Sequence, residues 1–514
     1  RRRQEEGDTD AGAGHGAGWH SRASRAAGVA RWVKRRDPVR TALLAMTVGW
    51  ALVFIVLGWR QQDRFATYGF DLGIYDQGIW LLSRFKDPFI TVRGLELFGH
   101  HMNPALVAFV PFYWLGAGPH FLLVAQVAAQ ASGAVAVFLL ARDRLSARWP
   151  AVALGGALLL HPSYQFMAWE YFHPDTLAIA PLLFAYWAAR HRRWGWFGLA
   201  VVLALACKED VALAVVVLGL LVAWRGDRRR GLLISAGAAV WYLVSTRLLI
   251  PRANGIGPFY ESYFGDFGST TAEVVRNVAT HPGRAWSVAT RDNRLDYYRM
   301  MLAPTAFLAV VGLPGLLVAG PMLAVNALSS FPYLQDIRYH YSALVLVGVL
   351  VGTVEAVAYL GRTASMRAFL VGLVMATSLA TSVAWGPSPI GTKFRSGIWA
   401  LQTDGRVAAR RAALAVVPAG AAVSATYHLV PHLTHRPKVY EWPVPWRNVN
   451  WGVRGEHLDD PAGVSWLVVD LRLQSPEDLA LLDGLLGRQF AVRFERDDIL
   501  AAERVQPPRA ANGP

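Results

Sequence analysis

The sequence predicts a polytopic α-helical membrane protein with a small α/β domain at its C-terminal end, and three observations predict it. Apolar runs at 41–59, 121–140, 231–250, 342–360 and 369–385 each come close to the roughly 20 residues that cross the hydrocarbon layer as a helix. The 514 residues are 54% hydrophobic and 17% charged, with a mean hydropathy of +0.28, a balance that makes a soluble protein a poor reading. Past residue 386 the pattern changes to strand-like segments at 414–417, 421–426, 439–442 and 465–471. Ser475-Pro476-Glu477-Asp478 then reads as an N-cap, a proline at the first helical position and an acidic first turn.

Residues 1–40 are rich in Gly, Ala and Arg, carry ten basic against five acidic residues and lack apolar periodicity, so a disordered cytoplasmic tail is expected. No small-residue cleavage site follows the run 41–59, which should therefore remain as an anchor. Short loops at 142–148, 190–193 and 225–230 hold three, three and four basic residues, and Arg362 with Arg367 mark another. The positive-inside rule puts these loops in the cytoplasm. The segments 60–103, 251–299 and everything after 385 then fall outside.

Two stretches do not fit plain spans. Residues 194–224 lie between two basic loops and are interrupted by Lys208-Glu209-Asp210, which predicts a pair of short helices meeting near the triplet. Residues 301–332 are interrupted by Pro314 and Pro321. The count comes to about 11 membrane segments, with 70–85 and 104–115 as short interfacial helices. The expected division is a tail at 1–40, a membrane domain at 41–386, an extracytoplasmic α/β domain at 387–500 and a disordered tail at 501–514.

The net charge of +15 does not argue for nucleic acid, because Lys and Arg gather at helix ends and in the N-terminal tail. Cys207 stands alone, which excludes an internal disulfide and a cysteine-based metal site. Neither a phosphate-binding GxxxxGK[ST] loop nor an HExxH motif is present, so ATP-driven transport and zincin proteolysis are disfavoured.

The candidate chemistry lies on the outer side. Asp71 and Asp76 follow the first span in Phe-Asp-Leu-Gly-Ile-Tyr-Asp, about 140° apart on a helix unless Gly73 bends the chain. A carboxylate near apolar surface is costly without a partner or a task, and partial desolvation suits it to act as a general base. Capping of short helices is the bland alternative. His100 and His101 end the same loop and splay by about 100° on a helix, so they make a weak metal pair by themselves. Glu170, His173 and Asp175 concentrate acid and imidazole in a loop without basic residues, where helix capping is the competing explanation. Lys208, Glu209 and Asp210 interrupt an apolar run, which marks a functional site or a salt bridge at a helix break. Arg338 and His340 stand at the mouth of a late span, where a snorkelling arginine in an aromatic belt is the alternative.

The same residues carry a family resemblance. FDLGIYDQGIW, the HMNP stretch, HPSYQFMAWEYFHPDTLAI, CKEDVAL, RYHYSA and VPAGAAVSATYHLVPHLTHRPKVYEWP occur in that order, and over about residues 45–475 the chain resembles a family of predicted bacterial membrane proteins defined by a domain of unknown function. His100-His101-Met102 departs from the single histidine of many relatives and leaves both histidines open. The layout is similar to that of GT-C glycosyltransferases, which draw on polyprenyl-phosphate-linked sugars and place an essential Asp in the first outer loop. The resemblance implies a membrane glycosyltransferase of the bacterial plasma membrane, with Asp71 or Asp76 as the base. Lys208 and Arg338 would hold the donor phosphate, while Glu170, His173 and Asp175 line the acceptor side or hold a divalent cation, Mg2+ or Mn2+. Many relatives of this layout need no metal. Implied partners are membrane lipid, a polyprenyl-phosphate sugar and a cell-envelope glycan or protein acceptor. A transporter or flippase of lipid-linked glycans and a non-catalytic scaffold are the rival readings.

Overall fold

The computed structural model describes residues 37–255, 259–402, 404–449 and 457–505. The tails expected to be disordered lie outside the described residues at 1–36 and 506–514. Five helices are long and apolar enough to span a membrane: Pro38–Asp63, Pro119–Leu145, Arg228–Asn254, His340–Leu360 and Ala364–Trp385. They cover the five apolar runs. The first begins at Pro38 rather than 41, because Asp37 caps it by accepting the Val39 N–H and pairs with Arg148. Shorter apolar helices fill the bundle, among them Arg148–Leu160, Trp194–Leu205, Val211–Trp224 and Leu313–Leu328. The chain does break at Lys208-Glu209-Asp210, and the carbonyl of Ala206 there accepts the Ala105 N–H at 2.8 Å.

His340–Leu360 is the central post of the bundle, its apolar window 83% buried against 22% for Pro38–Asp63. It crosses Leu313–Leu328 almost backbone to backbone. A Cβ on Gly315 would lie 2.1 Å from the Gly352 nitrogen, and one on Gly348 would meet the Ala319 Cβ at 2.4 Å. Close crossings of this kind rest on small residues at four-residue spacing.

The basic loops gather at one end of the bundle. Arg144 and Arg190 both reach Glu355, at 2.7 and 3.1 Å. Tyr186 donates to Glu355 at 2.9 Å and accepts from Arg225 at 2.7 Å.

A short hairpin in the first outer loop pairs β1 (Phe89–Ile90) with β2 (Leu95–Glu96). The C-terminal part forms a five-stranded sheet of β3 (Val423–Ala425), β4 (Val439–Glu441), β5 (Trp466–Asp470), β6 (Phe490–Arg496) and β7 (Ile499–Arg504), in the order β4-β3-β5-β7-β6. β3 runs parallel to β4 and β5, while β7 is antiparallel to β5 and β6. Alternate residues face opposite layers. Val468 and Ala501 join the helix Arg406–Ala415 and the first outer loop in one core, whereas Leu467, Val469 and Ala502 pack under the helix Pro476–Leu485.

Two expectations fail here. Residues 414–417, read as strand, are the end and exit of Arg406–Ala415, whose Ala and Arg content favours helix. Residues 501–504, read as a disordered tail, complete β7, because Ala501 and Ala502 pair with Val468 and Leu467.

Candidate functional site

The first outer loop begins with a π-turn at Gly69–Gly73 that runs into the helix Ile74–Ser83. Gly69 is required there, because a Cβ would come within 2.7 Å of Val430, and its N–H donates to the Tyr427 carbonyl at 2.8 Å. This contact aims Asp71 into the bundle. The next contributor is the turn after the helix Pro162–Trp169, where Tyr171 adopts φ +77°, a costly conformation for a bulky residue. Gln126 holds that turn by donating to the Tyr171 carbonyl and accepting the His173 N–H at 2.6 Å. Glu170, His173 and Asp175 are thereby presented together.

A continuous set of contacts follows. His173 Nε2 lies 3.4 Å from Asp71 Oδ1, and the His173 and His340 rings stack with centroids 3.8 Å apart. Glu170 accepts from the His340 backbone N–H and meets its Nδ1 at 2.9 Å. Asp175 Oδ2 is 3.8 Å from His340 Nε2 and 3.2 Å from Lys208 Nζ, which also reaches Asp210 at 3.4 Å. Glu209 turns the other way, taking His101 Nδ1 at 2.8 Å and the Met102 N–H at 3.0 Å. His100 lies against His101, with ring centroids 4.5 Å apart and the planes tilted by 56°.

The cluster is crowded with negative charge. Asp71, Glu170, Asp175, Glu209 and Asp210 share this network with the ammonium of Lys208, and Arg93 acts on the two adjacent histidines as a second cation. Burial, followed by the charges of Asp71 and Asp175, pushes the Glu170 carboxyl well above the usual range. Burial likewise holds His100 and His101 well below the ordinary imidazole value, hence neutral. Asp71 differs from its buried neighbours in exposure, its side chain being 36% accessible. Beside Lys208 lies a cavity of about 130 Å³ bounded by His101, Asp210 and Tyr341 and by apolar Leu213, Met322 and Val325. Lys208 also sits over the Tyr341 ring, 5.9 Å from its centroid.

Two sequence candidates lie apart from this network. Asp76 is fully buried, accepts hydroxyl hydrogens from Tyr113 and Thr434, and stands 3.2 Å from His435. It fastens the loop to the C-terminal domain. Arg338 spends its guanidinium on Asp336, at 2.6 Å, on the half-exposed rim. Conversely, Tyr341, Arg93 and Glu441 bear on the site without having been singled out. Glu441 belongs to the tail motif VPAGAAVSATYHLVPHLTHRPKVYEWP, which turns out to be the partner of FDLGIYDQGIW. Thr434 contacts Asp76, and Gln77 donates to the Arg436 and Pro437 carbonyls at 3.4 and 3.3 Å.

The family model described as "Predicted membrane protein (DUF2079)" matches residues 61–498. The chain belongs to the DUF2079 family. No curated protein gives a match. Among solved structures, this DUF2079 protein is similar to ArnT from Cupriavidus metallidurans in the apo state, with a TM-score of 0.52 at 14% identity over 88% of this chain and 98% of that one. ArnT is a GT-C glycosyltransferase, so the expected likeness to the GT-C layout stands at the level of fold. A membrane-embedded protein follows from the family, this fold and the apolar helices.

Proposed function

We propose that this DUF2079 protein is a membrane glycosyltransferase that moves a sugar from a polyprenyl-phosphate donor to an acceptor hydroxyl at the outer face of the bacterial plasma membrane. The observation that carries the reading is the pairing of a half-exposed carboxylate, Asp71, with a buried ammonium, Lys208, joined through His173, His340 and Asp175. In the transfer, the acceptor oxygen attacks the anomeric carbon as the bond from that carbon to the phosphate oxygen breaks. Asp71 takes the acceptor proton, and polyprenyl phosphate leaves with the electron pair. Asp71 is the most open of the network carboxylates, at 36% against 25% for Asp210. Lys208, facing a cavity with both polar and apolar walls, suits the charge that grows on the departing phosphate while the prenyl chain stays in lipid.

The same reading has the N-terminus and the Glu355 end in the cytoplasm, the sheet outside, and about 11 membrane segments between. The acceptor is a cell-envelope glycan or protein. The test is transfer from radiolabelled polyprenyl-phosphate sugars by purified protein in detergent, against Asp71→Asn. Transfer by wild type and loss in the variant support the reading. Absence of transfer from every donor, or an unimpaired variant, overturns it.

A further inference from the structure

Glu170, His173 and His340 each offer a ligand atom, and these three atoms lie within 4.8 Å of one another. We propose that they form a site for one divalent transition metal ion of the zinc class. Metal binding here does not depend on the transfer reaction.

Ligands around a single zinc ion sit at about 2.0–2.2 Å from it, so their mutual distances fall near 3.5 Å. The pair His340 Nδ1 and Glu170 Oε1 is already at 2.9 Å, and the stacked rings bring His173 alongside. The three donors therefore need to open slightly rather than travel. Their supports are firm: the Gln126 clamp on the His173 turn, the Phe166 carbonyl accepting the Glu170 N–H at 2.8 Å, and the start of the central helix for His340.

Hydrogen bonding and charge also argue for a cation. His173 is 2% exposed, yet neither of its ring nitrogens makes a hydrogen bond among the described residues, an arrangement that leaves a buried donor and acceptor unsatisfied. Coordination would satisfy one nitrogen and leave the other to Asp71, 3.4 Å from Nε2. His340 repeats the pattern, with Asp175 at 3.8 Å from Nε2 while Nδ1 faces Glu170. A carboxylate behind each metal-binding imidazole is how such rings are oriented in metal sites generally. The surplus of buried carboxylates over Lys208 and Arg93 further favours a bound positive charge.

Donor chemistry selects the ion. Two imidazoles and a carboxylate suit zinc, cobalt and similar ions, whereas Mg2+ prefers an all-oxygen shell. Three protein ligands leave a further position open.

The test uses full-length protein in detergent, stripped with a chelator and titrated with Co2+ as a visible stand-in for zinc. The expected result is about one Co2+ per chain with d–d absorption bands, displaced by Zn2+ and unaffected by Mg2+ at millimolar level. His173→Ala and His340→Ala should bind more than about 100-fold more weakly, beyond the roughly 10–100-fold that follows loss of an outer-shell partner. His435→Ala should match wild type. Circular dichroism and gel filtration report folding of each variant, and Glu170→Gln, which preserves shape, provides a second route should a histidine variant not fold. Asp71→Asn should still take up about one Co2+ per chain, about 10–100-fold more weakly as expected for an outer-shell carboxylate, while losing transfer, so failure of the metal site and failure of the transferase reading are told apart. Sub-stoichiometric Co2+ in wild type, or full binding in both the His340 and Glu170 variants, overturns the site.

Discussion

The central helix His340–Leu360 carries a polar cluster at each end, and the two are built on opposite rules. They stand 15 residues apart along the helix, from His340 to Glu355, which is about 22 Å at 1.5 Å per residue. At the Glu355 end the carboxylate takes Arg144 through two nitrogens, at 2.9 and 2.7 Å, then Arg190 and Tyr186. One acid answers two arginines, which keep 24–30% of their side-chain surface open, so the excess positive charge is left to solvent. At the His340 end acids outnumber cations, both His173 nitrogens lack hydrogen bonds among the described residues, and Asp175 Oδ1 and Asp210 Oδ1 do too. A bundle retains the first kind of cluster for closure. The second kind costs stability and persists where something binds or reacts.

That contrast breaks or holds most sharply on a pair of substitutions. Asp71→Asn should lower kcat by about 10²–10⁴-fold, the usual contribution of a general base, with an unchanged melting temperature. Glu355→Gln should do the reverse, leaving transfer per folded molecule intact while costing roughly 1–3 kcal/mol of stability, since the uncompensated arginines retain some access to solvent. Thermal unfolding and transfer rate measured on both variants decide the matter. Loss of stability in Asp71→Asn, or loss of turnover in Glu355→Gln, would erase the distinction between the ends.

A smaller effect separates binding from chemistry within the His340 end. Lys208→Gln should raise KM for the lipid donor by about 10–100-fold, as expected when a charged hydrogen bond to phosphate is lost. It should lower stability as well, because Asp175 and Asp210 lose their cation. If KM stays constant, Lys208 belongs with Glu355 as a structural ion pair.

Much of this is legible in the sequence because most of the signal is local. Apolar runs of span length found the five long helices, and the charged triplet at 208–210 marked a true helix break. The basic loops pointed to a shared end, and Arg144 and Arg190 do meet on Glu355. What escaped depends on contacts between distant segments. Asp71 and Asp76 look equivalent in FDLGIYDQGIW, yet the π-turn at Gly69–Gly73 sends one toward His173 and buries the other against Thr434. Nothing near residue 76 announces a partner more than 350 positions away. β6 and β7 were missed because they pair chiefly with each other and with β5, and Ala501 and Ala502 carry little strand preference of their own. The donor set Glu170, His173 and His340 was half visible, since two members share one loop and the third arrives from the central helix.

The gentlest prediction tests whether charge crowding at the His340 end extends into the C-terminal domain. Glu441 on β4 has its carboxyl pushed up to about 7, from 4.5, first by burial and then by the charge of Asp71. A carboxyl raised in the folded state favours its protonated form. The stability this confers is full below about pH 4.5 and drains away as pH climbs through about 7. Glu441→Gln is neutral at every pH and should not follow that decline. The melting temperature of wild type should therefore fall relative to Glu441→Gln between about pH 5 and pH 8, by a few degrees at most. In an Asp71→Asn background the gap should narrow, because one of the two causes is gone and burial alone remains. A gap that is flat with pH would mean that Glu441 stays ionised throughout, and the negative crowding around Asp71 would then stop at the membrane domain.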